Sequence, residues 1–195
     1  IDMGRLAEEL DQIIAAGVNG LYTNGTAGEF YNQRAEEFVA VSELLASRCK
    51  AAKLPFQLGA GDPNPQVTLE RVGIAAGLAP AAIQVVLPDW FPVTDSEAVD
   101  FLRRLAERAD PIGLVLYNPP HAKRVLTPEE MGKLAAAVPS LVGVKVADGD
   151  DAWYAAMRTH MGGLSVFVPG HHLATGIANG AAGSYSNVAC LSPAG

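Results

Sequence analysis

Apolar residues recur along this chain in two alternating rhythms. Over residues 3–16, Leu6, Leu10, Ile13 and Ile14 fall at helical spacing, and Gly17 closes the element. Residues 18–23 read as a short strand running into a glycine-bracketed loop, Asn24-Gly25-Thr26-Ala27-Gly28-Glu29. A helix is predicted over residues 33–50, with Asn32 as its cap. Strand 56–60, a loop at 61–65 and a helix to residue 76 follow, then strand 82–87 and the rigid aromatic loop Pro88-Asp89-Trp90-Phe91-Pro92. Thr94-Asp95-Ser96-Glu97 and Thr127-Pro128-Glu129-Glu130 are capping boxes, the second with proline at the first helical position. They open helices to residues 108 and 137, on either side of strand 112–117 and Asn118-Pro119-Pro120. Strand 141–146 ends in an Asp148-Gly149 turn. After it come helix 151–161, strand 164–168, Pro169-Gly170-His171-His172, a short helix and a last strand at 182–186.

Short, continuously apolar strands separated by helices are the mark of right-handed βαβ units. Two parallel architectures compete, a (β/α)8 barrel and an open doubly wound sheet. Unusual residues occupy every loop after a strand, whereas the loops before strands are plain. Function spread around all the C-terminal strand ends favours the barrel. The expected fold is therefore α/β, a (β/α)8 TIM barrel forming one domain over residues 1–195. Seven strands are counted where a barrel needs eight. The chain starts without Met and almost inside a helix, so the first strand and the C-terminal helices are expected to be missing from it.

Composition narrows the function classes. Hydrophobic residues make up 49% of 195, enough for a real core. The net charge of -7, with no basic run, argues against nucleic acid and anionic membranes as partners. No apolar run reaches membrane-spanning length and no signal peptide opens the chain. Cys49 and Cys190 have neither metal nor redox spacing, fit a reducing cytoplasm, and each reads as a buried small hydrophobe.

Of the five lysines only Lys145 sits inside a valine-rich strand, Leu141-Val142-Gly143-Val144-Lys145-Val146. Strict alternation puts Leu141, Gly143 and Lys145 on one face and Val142, Val144 and Val146 on the other. Burial would lower the lysine's pKa and free a nucleophilic amine; the alternative is a lysine that snorkels out at the strand end. The preceding strand puts Gly113, Val115 and Tyr117 on one face. In neighbouring parallel strands about 4.8 Å apart, Tyr117 and Lys145 would share one barrel mouth. A phenol beside an amine can shuttle protons during carbinolamine formation and aldol cleavage; a packing aromatic is the plainer reading of Tyr117. The Gly25-Thr26-Ala27-Gly28 turn either offers an anion nest of N–H groups plus the Thr26 hydroxyl, or is a plain βα turn. His171-His172 does not suggest a metal, because adjacent residues on an extended segment point apart and no third ligand is spaced to join them.

Gly25-Thr26-Ala27-Gly28-Glu29, Tyr117-Asn118-Pro119-Pro120 and Val142-Gly143-Val144-Lys145, in this order and separation, resemble the dihydrodipicolinate synthase/N-acetylneuraminate lyase family. The similarity covers nearly the whole chain, including Gly170 and Gly183-Ser184-Tyr185-Ser186. It implies a (β/α)8 barrel of class I aldolases and lyases acting on pyruvate or related 2-oxo acids, without metal or cofactor. By resemblance Lys145 would form the imine and Tyr117 relay the proton. Thr26 and Ala27, the latter through its N–H, would hold the substrate carboxylate, and Gly170 and Ser186 would line the substrate site. A cytoplasmic homodimer or homotetramer is implied as well. Three departures stand out. The second threonine of the glycine turn is Ala27. Ala122 stands five residues after the tyrosine in place of the family's arginine, with Lys123 and Arg124 following. Asp89-Trp90-Phe91 carries no phenol where synthases place a relay tyrosine. These point away from dihydrodipicolinate synthesis and toward an aldolase, or alternatively a dehydratase, of a sugar-acid-like 2-oxo substrate. A non-catalytic binding protein on the same barrel is the remaining reading.

Overall fold

The computed structural model describes residues 1–147 and 149–192. Seven parallel strands are found among them, hydrogen-bonded in sequence order into one curled sheet. They are β1 (Leu21–Thr23), β2 (Phe56–Gly59), β3 (Ala82–Val86), β4 (Leu114–Tyr117), β5 (Leu141–Lys145), β6 (Ser165–Pro169) and β7 (Gly183–Tyr185). The helices are α1 (Met3–Ala15), α2 (Ala35–Ala52), α3 (Pro65–Gly77), α4 (Asp95–Ala109), α5 (Pro128–Ala137), α6 (Asp151–His160), α7 (Leu173–Ala178) and α8 (Val188–Leu191). The curl brings the sheet's two edges together, since the rings of Tyr22 on β1 and Tyr185 on β7 lie 5.2 Å apart. This is the curled parallel sheet of a (β/α)8 barrel, with seven of its strands.

The paired registers sort the strand residues into two faces. Parallel partners point the same way, so the chain of pairs Gln84↔Val115↔Gly143 and Val86↔Tyr117↔Lys145↔Phe167 marks the inside. The outside carries Leu58, Ile83, Val85, Leu114, Leu116 and Val144, all fully buried beneath the helices. The stabilising core is therefore the layer between sheet and helices, as parallel sheets require. The inside is left free for polar and aromatic side chains.

Local chemistry explains most element starts. The Thr94 and Thr127 hydroxyls accept from the N–H groups of Glu97 and Glu130, whose carboxylates reach back to the threonine N–H groups. The expected Asn32 cap is not formed. Asn32 belongs to a 3-10 turn and bonds to Glu29, while α2 starts after Arg34, whose N–H is taken by Glu37. The alternation expected for strand 141–146 is also broken. Leu141 pairs with Leu114 but Gly143 pairs with Val115, so Val142 is an extra residue in a bulge. Leu141 is thereby buried with the outer core and Val142 is 42% exposed. Asp148, expected to form the turn after this strand, lies outside the described residues. Cys49 is buried as expected, whereas Cys190 is exposed on α8.

Two stability outcomes follow from this layering. Leu116→Ala should cost about 2–5 kcal/mol in urea unfolding, because it empties part of the outer core, while Val142→Ala should cost well under about 1 kcal/mol. Gly132→Ala should destabilise although alanine is the better helix former. A methyl at Gly132 in α5 would stand 2.2 Å from the His160 carbonyl oxygen of α6.

Candidate active site

Tyr117 and Lys145 are direct register partners at the C-terminal ends of β4 and β5, the end of a parallel barrel where its loops gather. Lys145 Nζ lies over the Tyr117 ring, 4.1 Å from its centroid. Tyr185 and Tyr22 stand farther round the amine at 5.1 and 5.7 Å. None of the ion pairs among the described residues involves Lys145. Burial pushes its pKa below the ordinary lysine value. Burial also pushes the three phenols up, Tyr117 against the opposing effect of a hydrogen bond with Thr26. The phenols therefore stay neutral at physiological pH and offer the ammonium ring faces rather than a counter-charge. A cation over a ring is stabilised by about 0.5–2 kcal/mol, an effect that opposes the desolvation of the ammonium.

The Thr26 loop is held by packing that only small residues permit. A methyl at Gly59 would stand 2.4 Å from the Asn24 carbonyl oxygen, and one at Gly25 would strike the Tyr22 ring at 2.7 Å. Asn24, buried and in the left-handed region at φ 58°, donates to Ser42 and accepts from Gln33. The glycine turn becomes a 3-10 turn over Thr26–Gly28. Its first N–H groups, those of Thr26 and Ala27, have no partner within the turn, as at any helix start. Gly170 and Ser186 meet one another, since a methyl at Gly170 would stand 2.6 Å from the Ser186 hydroxyl. Thr26, Tyr117 and Lys145 thus form one contact group and Gly170 with Ser186 a second. Tyr185, next to Ser186 and facing Lys145, links them.

Several inward residues were not singled out from the sequence. Tyr22 and Tyr185 surround the amine, and the Tyr185 hydroxyl donates to Gln57 Oε1. Gln84 is 2% exposed and stands beside the Tyr22 phenol, yet neither of its amide atoms completes a well-formed hydrogen bond among the described residues. Arg71, also buried, donates to the carbonyls of Phe30, Gly61 and Gln33, pairs with Asp62 at 3.3 Å and so fixes the strand-end loops. The usable signal was polar residues at inward positions of otherwise apolar strands.

The fold is shared with solved proteins. The structure of YagE from Escherichia coli K12, a prophage protein of the dihydrodipicolinic acid synthase family in complex with pyruvate, superposes with a TM-score of 0.91 at 26% identity, over 100% of this chain and 66% of that one. The family model of the dihydrodipicolinate synthetase family matches residues 1–191. The chain belongs to this family. A 4-hydroxy-tetrahydrodipicolinate synthase of Roseobacter denitrificans is 32% identical over 83% of this chain and 55% of its own length. A trans-2'-carboxybenzalpyruvate hydratase-aldolase of a Nocardioides species is 27% identical over 78% of this chain and 47% of its own. The chain thus spans about half the length of these two curated relatives.

In this member of the dihydrodipicolinate synthetase family, a cleft of about 180 Å³ opens outward from Thr26 and Tyr117 between the loops after β1, β3 and β4. Lys145 does not line it but faces Tyr117, which does. Arg124 borders the cleft with its guanidinium engaged by Asp95, by Glu130 at 2.7 Å and by the Val93 carbonyl at 2.9 Å. Among the described residues no group of three or more His, Cys, Asp or Glu side chains could hold a metal ion. His171 and His172 do not point apart as expected. They sit in a 3-10 turn rather than an extended segment, and their rings lie 4.1 Å from each other. No helix among the described residues is long and apolar enough to cross a membrane.

The two lysine environments predict opposite reactivity. Lys133, hydrogen-bonded to Glu129, has its pKa raised, while that of Lys145 is lowered by burial. In competitive acetylation read by mass spectrometry across pH 6–10, labelling of Lys145 should reach half-maximum at lower pH than labelling of Lys133. Coincident or reversed midpoints would contradict the desolvated-amine picture.

Proposed function

We propose that this chain carries the imine-forming centre of a class I lyase or aldolase acting on pyruvate or a related 2-oxo acid. The observation that supports it most is Lys145 Nζ held against Tyr117, without a carboxylate partner among the described residues and with its pKa lowered by burial. Desolvation makes the free amine available as a nucleophile. Lys145 Nζ adds to the C2 carbonyl and expels water, giving a protonated imine. Loss of a C3 proton gives the enamine, whose C3 bonds to an aldehyde carbon while the aldehyde oxygen takes up a proton. Water then hydrolyses the imine and returns the amine. Pyruvate plus aldehyde yields one 4-hydroxy-2-oxo acid with nothing oxidised or reduced, and cleavage runs the same steps backwards.

Tyr117 is proposed to move protons at the carbinolamine and at the aldehyde oxygen, with the Thr26 hydroxyl beside its own. Thr26 and the N–H of Ala27 are the proposed carboxylate site, with Gly170 and Ser186 lining the opposite wall. In the cell the protein is proposed to act as a cytoplasmic homodimer or homotetramer. The dehydratase reading keeps the same imine. It is favoured by the Asp89-Trp90-Phe91 loop, which carries no phenol where synthases place a relay tyrosine; Asp89 there accepts the Lys123 N–H at 2.8 Å. A dehydratase releases no pyruvate from a deoxy-keto-sugar acid, so product analysis separates the two.

The test is borohydride reduction of the intact protein with pyruvate. A stable adduct should appear on Lys145 and be absent in Lys145→Ala. Tyr117→Phe should still form the adduct but lose about 10²–10⁴-fold in turnover. An adduct on another lysine, or none, ends the proposal.

A further inference from the structure

The cleft that opens from Tyr117 is walled by Phe30, Val86, Leu87, Pro88, Val93 and Pro119. Most of the polar residues lining its interior are engaged by the protein itself. Asn118 donates to the Arg124 carbonyl at 2.9 Å and accepts from the Leu126 N–H at 2.7 Å. Asp89 accepts the Lys123 N–H, and Arg124 is held by two carboxylates and a carbonyl. Thr26 and Tyr117 stand beside each other at the inner end. The remaining polar groups, Tyr31 and His121, belong to exposed residues on the rim.

A polyhydroxylated acceptor would bring several hydroxyls against these apolar walls, where partners are found only at the exposed rim and at Tyr117, and an unpartnered polar group is costly. A second carboxylate would find Arg124 already paired. An apolar chain or ring meets none of these penalties. Mostly apolar walls with a few convergent polar groups are the usual make-up of a site for a small organic ligand.

We propose that the second substrate of this enzyme is an aldehyde with an apolar body, aryl or alkyl, rather than a sugar-derived or carboxylated one. The inference rests on the imine chemistry proposed above. The 2-oxo acid occupies the Lys145 side of Tyr117, and the aldehyde's carbonyl reaches Tyr117 from the cleft. Its apolar body lies between the loop after β3 and the Phe30 segment, which Arg71 anchors through the Phe30 carbonyl.

The intact protein is assayed with pyruvate and, in turn, benzaldehyde, hexanal, glyceraldehyde and succinic semialdehyde, following formation of the 4-hydroxy-2-oxo acid. The expected result is a kcat/KM for benzaldehyde or hexanal at least about tenfold above that for glyceraldehyde and succinic semialdehyde. Equal values, or preference for either polar aldehyde, overturn the proposal. Borohydride trapping with pyruvate runs alongside. An adduct at Lys145 with no apolar aldehyde accepted overturns the acceptor assignment and leaves the imine centre standing, while no adduct brings both down. Val93→Asn should reduce the benzaldehyde-to-glyceraldehyde ratio at least about threefold. Tyr31→Ser, on the exposed rim, repeats the test without disturbing a buried wall. An unchanged ratio in both variants contradicts the proposed placement.

Discussion

A primary amine surrounded by three phenol rings, with no carboxylate beside it among the described residues, is an expensive arrangement for a protein to hold in its charged form. Burial holds the amine's pKa below the ordinary lysine value, which raises the share of the neutral, nucleophilic form. The structure supports that amine in a simple way. The bulge at Val142 sets the parity of β5 so that Lys145 falls on the same face as Tyr117, Gly143 and Val115. A one-residue change of parity would have driven the lysine into the helix-facing core.

The two faces of the sheet divide the work. Outward residues such as Leu58, Ile83, Leu116 and Val144 are apolar and fully buried, and they hold the helices in place. Inward residues such as Tyr22, Gln57, Gln84, Tyr117 and Lys145 are polar or aromatic and converge on one mouth. The loops at that mouth are fixed by buried polar links, Asn24 to Ser42 and Arg71 to three backbone carbonyls. Stability is thus carried by the outer layer, so the inside can hold unpaired polar groups, such as the Gln84 amide, that a solid core would exclude.

The repeating order of strands and helices was legible because each outward strand residue is apolar and each helix start has its own capping chemistry, as at Thr94 and Thr127. Tyr117 and Lys145 were legible because each breaks an apolar run at a strand end. Other features depended on distant partners. Tyr22 and Tyr185 come together only when the sheet curls, and nothing local to either marks them. The Val142 bulge is a register event between two strands, invisible to the alternation of one. Asn32 looked like a cap, but the left-handed turn at Glu29 draws it into a 3-10 turn and moves the helix start to Arg34. The adjacent histidines looked divergent only on the assumption of an extended backbone.

The most direct test of the central claim is a crystal structure of the intact protein soaked with pyruvate. The account predicts continuous density from Lys145 Nζ to C2 of the ligand, with the Tyr117 hydroxyl within about 2.6–3.2 Å of it. Pyruvate bound elsewhere while Lys145 stays unmodified, or an empty mouth at saturating ligand, would contradict it.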